Sequence, residues 1–599
     1  MTIFMSYLNR SKYLLIGLQI IICLGLAFDG ISQYHEKREQ VVSLEKRVVK
    51  AVLFIFPNDK NKYEDPIPIS LSIAKVWINL LLLYGAFRGM LLVARNEYNK
   101  LLTGYSSKHT VLIGLNQTSK LFALDFLLQY PNEKLIVVAR QEDSCLAQLL
   151  QKKGARVIVA SLADETLWDF LNLFRLRRII IFTTNDELNL ELANAVFNRL
   201  KSRIGGDFDR LASRKYPFEM LTHLANPFIS VVASKSPIFK IRNQGYGGRM
   251  FNTTNMLARS LILFSPPDLS PEYKFDQAPR FLIIGGGDLA RALVLEIARH
   301  CHYPSLQPPE IVWVASDAFE LLKSVRFEVP TIKQFCKISA RQVNPSQVSD
   351  NFYRMLENGS PFTQVLLTLE SEVDNFSLAK HIGRALESDR TPILLVLKPT
   401  ADTLLLPVNS FKSDQSTLNI KNPVHYYSLA ETALNAESIL NERLDQHAKS
   451  IHTAYVSEET SKGAKLGDWD SLVNWDELNE TYRGASRAQA DHLLVKLRAI
   501  GMNVRDTSQI RLADLDFYLQ QLKSSPALLE RLAEMEHNRW NADRWLSGWQ
   551  FDQIRSNNLK HHNNLVPYSR LSELDKQKDR DTFLNIDLTL RAIDVVVSH

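Results

Sequence analysis

Glycine is missing where a pore lining would need it. The chain has 599 residues and 23 glycines, but none lies between Gly30 and Gly85. That interval contains the segment between the two longest apolar runs from Ile31 onward, so a carbonyl filter of the Thr-Val-Gly-Tyr-Gly type has no place there. The four cysteines, Cys23, Cys145, Cys301 and Cys336, are scattered. Their spacing excludes a disulfide framework and a paired-cysteine metal site, and suits a reducing compartment. His300, Cys301 and His302 are neighbours in sequence and do not converge on one metal from a helix face. There is no Walker A loop, no nucleophile elbow and no catalytic constellation, so no enzyme and no metal site is expected. The net charge of +6 is modest for this length and does not imply a nucleic-acid partner.

Two apolar runs of membrane length fall in the first hundred residues. The first is Tyr13 to Phe28, broken only by Gln19. The second, roughly 67–94, carries Lys75, Asn79 and Arg88. A span needs about 20 mostly apolar residues. No small-x-small cleavage site follows the first run, so it is read as retained rather than as a signal peptide. The intervening loop holds Lys37, Arg38, Lys46, Arg47, Lys50, Lys60 and Lys62. Charge alone would place that loop inside. The nucleotide-binding architecture that follows argues the reverse: a two-pass protein of the bacterial inner membrane, with both termini and the large C-terminal region cytoplasmic. Intramembrane charges either snorkel or line a path, and a pore lined by Lys75 or Arg88 would repel cations. The stretch Val48 to Pro57 has the character of a short pore helix or a surface helix.

Residues 109–113, 134–139, 156–160 and 178–183 are apolar strands alternating with helices, which predicts a buried parallel sheet. A dinucleotide fingerprint needs glycines at the first turn. Here Gly114 stands alone, with Asn116 and Ser119 in the other positions and Arg140 where an acid would read ribose. The expectation is a Rossmann scaffold without a dinucleotide. Thr184-Asn-Asp186-Glu-Leu-Asn189, Asp164-Glu-Thr-Leu167 and Leu224-Ala-Asn-Pro227 resemble turns of the RCK/TrkA-N family, which regulates potassium conductance. The resemblance covers about 109–265.

Over 279–400 the pattern repeats. Arg280-Phe-Leu-Ile-Ile284 leads into Gly285-Gly-Gly287-Asp-Leu-Ala290, a GxGxxA at a strand-to-helix junction. Asp317 follows the next strand and is placed to take ribose hydroxyls. Two readings stand: a nucleotide or dinucleotide site at Gly285, Gly287, Ala290 and Asp317, or glycines serving only a tight turn. Glu370 to Asn375 loosely repeats the acidic–Asn turn. The chain thus resembles a tandem RCK unit, which implies a homo-oligomer, a tetrameric ring of eight such domains.

Residues 401–439 read as a linker, with one helix expected around 427–455, and 440–599 as a helical domain. Glu536-His-Asn-Arg-Trp540, Gly548-Trp549, Leu565-Val-Pro-Tyr-Ser-Arg-Leu571 and Asp575-Lys-Gln-Lys-Asp-Arg580 resemble the ryanodine-receptor (RyR) repeat domain of bacterial proteins. Aromatic faces stack on bases, and Arg or Lys takes phosphates. On that ground His537, Arg539, Trp540, Arg544, Trp549, Tyr568, Lys578 and Arg580 are candidate ligand residues for a small nucleotide-like molecule. Trp545, one turn before Trp549, is read as sharing its face. The run His452-x-x-Tyr455, Trp475-x-x-Leu478, Arg487, Asp491 echoes His537-x-x-Trp540, Tyr568-x-x-Leu571, Arg580, Asp581, so the domain reads as two related halves.

The fold expected is a membrane helical hairpin, two α/β Rossmann-like domains and an all-α domain. The function expected is a ligand-gated channel or membrane effector. The resemblance implies a sensor–effector in bacterial nucleotide signalling, an antiviral role being one form of it. A membrane-anchored scaffold controlling a separate transporter is the alternative.

Overall fold

Apolar runs without polar interruption become central strands covered on both faces. The computed structural model describes residues 2–53, 63, 66–162, 164, 167–211, 217–240, 242–243, 245–357, 360–397 and 420–593. They form two compact units, Met1–Leu102 and Thr103–His599.

In the first unit α1 (Thr2–Glu36) is followed by α2 (Leu44–Leu53) and by α3, which runs Ile69–Gly104. Where α1 and α3 meet they run antiparallel through small residues. A Cβ on Gly30 would lie 2.6 Å from the Leu71 backbone nitrogen, and Cys23 Sγ donates to Ala74 O at 3.3 Å. Small residues let helix backbones approach closely. Leu18, Ile21, Leu80, Leu83 and Phe87 point outward and are exposed. Among the described residues one helical segment, Ile69–Phe87, is long and apolar enough to cross a membrane. The run Tyr13 to Phe28 begins among side chains outside the described set, and Val48 to Pro57 ends among such residues.

The second unit opens with a sheet of strand order β3-β2-β1-β4-β5-β7-β6. Its strands are β1 (His109–Ile113), β2 (Leu135–Ala139), β3 (Arg156–Val159), β4 (Leu176–Ile181), β5 (Phe218–His223), β6 (Arg242–Asn243) and β7 (Tyr246–Phe251). All pair in parallel except the short edge strand β6. Helix α4 (Gln117–Gln129) follows β1, and α5 (Asp186–Ile204) follows β4. The Asp–Asn turn staples strand ends. Asp186 accepts from Ala225 N and Asn226 N at 2.9 and 2.7 Å, and Asn189 Nδ2 donates to His223 O at 2.9 Å. The Asp164–Leu167 turn includes residues outside the described set.

Helix α6 (Thr253–Phe264) leads to the second sheet, of order β10-β9-β8-β11-β12-β13, all parallel. Its strands are β8 (Arg280–Ile284), β9 (Glu310–Ala315), β10 (Lys337–Gln342), β11 (Gln364–Leu367), β12 (Ile393–Leu397) and β13 (Val424–Ser428). Helices α7 (Gly287–His300) and α8 (Ala318–Glu328) flank β9. Asn375 repeats the role of Asn189, donating to Val396 O at 3.2 Å.

The stretch read as a linker corrects the expected boundary. Residues 424–428 are the sixth strand of the second sheet, paired with β12, so this domain extends past 400. The chain then returns to the first Rossmann domain. On the short helix α9 (Ala436–Leu440), Ala436 and Ile439 enter the core of Phe122 and Phe126, and Ala436 N donates to Asp125 at 2.7 Å. A single helix over 427–455 is therefore not formed.

The C-terminal domain contains α10 (Gln446–Ser461), α11 (Glu480–Asp491), α12 (Leu493–Ala499), α13 (Pro526–Leu546), α14 (Glu573–Leu584) and α15 (Ile586–Ala592). One set of contacts occurs twice. His452 Nε2–H donates to Val473 O at 2.7 Å, and His537 Nε2–H to Val566 O at 2.8 Å. Arg487 bridges Asp445 and Glu480, and Arg580 bridges Glu530 and Glu573. Asp491 has no counterpart in Asp581: it turns away to the first Rossmann domain.

There it meets Arg259 of α6. This guanidinium bonds Asp491 at 2.6 and 2.8 Å and Asp445 at 2.5 Å. Burial would drive the proton off, but Asp491 and Asp445 outweigh it and hold Arg259 above its ordinary range. The second Rossmann domain joins through His492 Nε2–H to His302 O at 3.0 Å and through Trp545 stacked on Phe335, centroids 5.4 Å apart. Trp545 therefore belongs to the domain junction and not to a shared face with Trp549.

Removing one partner of a buried ion pair costs about 3–5 kcal/mol. Arg259→Ala is expected to lose that much in chemical denaturation of the full chain followed by tryptophan fluorescence. Acid should act at the same junction. Burial pushes His302 from 6.5 down to about 4 and His492 well below its ordinary value. Both rings are neutral in the fold, so the unfolded chain takes up protons first as pH falls. This contribution is complete above pH 6.5 and is lost progressively toward about 4. Thermal melts across that range should show a falling midpoint.

Candidate functional site

The two Rossmann domains differ at the turn where a phosphate would sit. Such a site depends on backbone N–H groups left open at a helix N-terminus. In the first domain they are taken. Asn116 Oδ1 accepts from Thr118 N and Ser119 N, both at 2.9 Å, and Asn116 N donates to Ser119 Oγ at 2.9 Å. Arg140 engages Asp143, its Nε 3.7 Å from the carboxylate. The second domain leaves the turn open. Gly286 caps α7 with no side-chain hydrogen bond. Gly285 and Gly287 have φ of 126° and 76°, and a Cβ on Gly287 would meet nothing within 4 Å. Asp317 Oδ1 lies 2.7 Å from where a Gly286 Cβ would be, and Ala290 is buried beneath. The four residues read from sequence as a nucleotide site, Gly285, Gly287, Ala290 and Asp317, thus stand around one uncapped helix start.

The C-terminal cluster is built on the last turns of α13 and the segment after it. Arg544 lies between two indoles, its Cζ 5.6 Å from the Trp540 centroid and 5.3 Å from that of Trp549. His562 closes the group edge-on, 4.9 Å from Trp540 and 6.1 Å from Trp549. His537 stacks behind Trp540 at 5.8 Å. Arg544 Nε and Trp549 Nε1 are buried without hydrogen-bond partners. Asp543, the acid whose field reaches Arg544, is turned to Arg299 at 3.5 Å. Burial lowers the Arg544 pKa, Asp543 opposes, and Arg539 and Arg555 add to the lowering. His562 falls to about 4, first by burial and then through Arg555 and Arg544. The site is cationic, aromatic and short of anions. Tyr482 of α11 borders it, accepting from Asn557 Nδ2 at 3.2 Å.

Of the residues proposed from sequence, Trp540, Arg544 and Trp549 come together, with His537 in support. Arg539 does not join them. It is buried against Glu536 at 2.8 and 3.0 Å, with Lys496 on the same carboxylate at 3.0 Å. Tyr568 donates to Glu530 at 2.9 Å, Arg580 bridges Glu530 and Glu573, and Lys578 pairs with Asp575 at 2.8 Å. Arg539, Tyr568 and Arg580 are held by the domain's own carboxylates, while Lys578 is exposed and its charge reaches His562. His562, Arg555, Lys560 and Tyr482 were missed. Lys560-His561-His562 was the available signal, a basic aromatic run facing the tryptophan helix. On α3, Lys75 and Asn79 are exposed and stand away from the α1 seam, while the Arg88 side chain lies outside the described set.

Residues 516–599 match the RyR domain family model. The match spans the second half of the C-terminal domain, and the first half repeats its contacts outside the matched range. Similar solved structures include "Crystal structure of the GsuK bound to ADP", 14% identical over 72% of this chain and 100% of that one, TM-score 0.37. "GsuK Channel" is 15% identical over 73% and 100%, TM-score 0.37. A dipicolinate synthase chain from Bacillus halodurans is 10% identical over 56% and 96%, TM-score 0.22. At these TM-scores the likenesses carry no functional weight.

The closed and open turns predict different responses. Asn116→Ala should lower stability by about 1 kcal/mol, the usual value of such a cap, in denaturant melts. It should leave nucleotide binding, read by equilibrium dialysis, unchanged.

Proposed function

We propose that this chain is a membrane-anchored nucleotide sensor. In this reading the RyR-type domain takes a nucleotide-like anion at Arg544, the Rossmann pair relays its binding, and α1 and α3 form or control an ion-conducting assembly. The observation that carries the reading is Arg544, a half-buried guanidinium within 5.6 Å of two indole centroids, its Nε buried without a hydrogen-bond partner and no ion pair to it among the described residues. A buried cation is costly unless paired, and a phosphate stacked beneath a base supplies both the missing anion and the aromatic partner. The exposed apolar faces of α1 and α3 support a bilayer setting for the first unit. In this reading the relay runs along the chain itself, which passes from the first unit into the second at Leu102–Thr103. A ligand moves such a system only through unequal affinity for its two states. Assembly as a homo-oligomer, a tetramer, belongs to the same proposal, as does residence in a bacterial inner membrane.

The missing glycine-rich filter favours a second reading, a membrane-anchored scaffold acting on a separate transporter. Co-purification with a multi-span partner would select it.

Charged hydrogen bonds contribute about 1.5–3 kcal/mol each, so Arg544→Ala should weaken nucleotide binding by roughly 10- to 150-fold. Mass spectrometry of small molecules released by heat from the full chain should find a nucleotide in wild type and none in Arg544→Ala. Loss in Asp317→Asn instead would move the sensor to the second Rossmann domain.

A further inference from the structure

We infer that the face of α3 carrying Ser72, Lys75 and Asn79 lines a water-filled path for small inorganic anions, completed by the same face of further copies of this chain. The inference rests on the reading of α1 and α3 as membrane spans and names the ion class they pass.

Helix α3 has three sides. Leu71, Ala74 and Ile78 are buried in the seam with α1, among Cys23, Ala27 and Ile31. Ser72, Lys75 and Asn79 each follow one of these by a single residue, so they form a stripe rotated about 100° from the seam. All three are exposed, and no hydrogen bond or ion pair holds the Lys75 or Asn79 side chain among the described residues. Ile73, Val76, Leu80 and Phe87 form the third side, exposed and apolar. The polar groups are thus collected on one free side of the helix, and the other free side suits lipid.

Depth decides what the stripe does. The apolar segment Ile69–Phe87 is about 28 Å long at a helical rise of 1.5 Å per residue, close to the ~30 Å hydrocarbon core. Asn79 lies about 15 Å along the axis from Ile69, at the middle of that core. A lysine can extend its ammonium toward the surface, but a short amide at mid-core cannot. Hydrocarbon offers it no hydrogen bond, so it needs water or a polar neighbour. The amide both donates and accepts, so copies of Asn79 around an axis satisfy one another or share water. Copies of Lys75 repel in contact, which sets the stripes around water instead of packing them face to face.

The sign of the path follows from Lys75. It is the one charged residue between Ile69 and Phe87, where no acid stands. Asp29 of α1 is about 200° round from the seam residue Ala27, and it accepts from Gln33 at 2.8 Å. A ring of lysines selects anions. Beyond Asn79 the stripe continues in Leu82 and Ala86 and becomes apolar. An apolar constriction closes by dewetting, so the path conducts only when the copies part.

The test places Asn79→Cys or Leu80→Cys in the full-length chain in lipid nanodiscs, with and without ATP. Each is treated with an anionic or a cationic methanethiosulfonate and read by peptide mass spectrometry, with the exposed native Cys145 as the reference thiol. Asn79→Cys should be modified, and Leu80→Cys, at the same depth, should not. Relative to Cys145, the anionic reagent should be favoured at Asn79→Cys by about tenfold, an enrichment that a focused charge supplies. Adding Lys75→Glu should reverse that preference. Silence at both positions overturns the path and leaves α3 as a span; a co-purified protein would then be what covers the stripe. Modification of Asn79→Cys without anionic preference, or a preference that survives Lys75→Glu, also overturns the inference. Equal modification of Asn79→Cys and Leu80→Cys would put α3 outside lipid and overturn the membrane reading with it.

Discussion

Arg259 ties the Thr103–His599 unit together. It stands on the helix joining the two Rossmann domains, and its carboxylate partners, Asp445 and Asp491, both come from the C-terminal domain. Three folded parts meet at one desolvated guanidinium whose interactions are short and directional. Such a network tolerates little misalignment, because a buried charge without its partner is far costlier than a lost surface pair. A ligand that reorients the C-terminal domain would have to act against this junction, or through it.

The chain uses paired structures asymmetrically. Both Rossmann domains place a glycine with positive φ against a threonine of the next strand, Gly114 at Thr183 and Gly285 at Thr368. Asn116 then fills the first turn with its own side chain, while Gly286 leaves the second open. The two halves of the C-terminal domain share a histidine-to-carbonyl bond and an arginine bridge, yet seven residues after the histidine the first has Glu459, paired with Lys462, and the second has Arg544, whose buried Nε has no hydrogen-bond partner among the described residues. In each pair one copy is closed by its own residues, and the other leaves backbone or side-chain donors unsatisfied.

Much of this was legible in the sequence. Strands buried on both faces announce themselves as apolar runs, and the acidic–Asn turns mark strand exits because Asn189 and Asn375 hold two strand ends at once. Asn116 and Ser119 in glycine positions foretold a turn whose backbone is met by its own side chains. The repeat of His452 and His537 was visible because one short contact set fixes residue type and spacing. Other features were hidden because they depend on tertiary partners. Val424–Ser428 follows a polar stretch and pairs only with the distant β12. Arg539 and Arg544 lie five residues apart on one helix and look alike in sequence. Helical rotation turns Arg539 toward Glu536 and Lys496, and Arg544 toward the indoles.

The central claim is that an anion at Arg544 changes what α1 and α3 do to a membrane. Purified full-length protein in liposomes loaded with an ion-sensitive dye, challenged with ATP, tests this most directly. The account predicts ion flux in wild type and none in Arg544→Ala at the same protein density. Liposomes that stay tight while wild type demonstrably binds the nucleotide would contradict it.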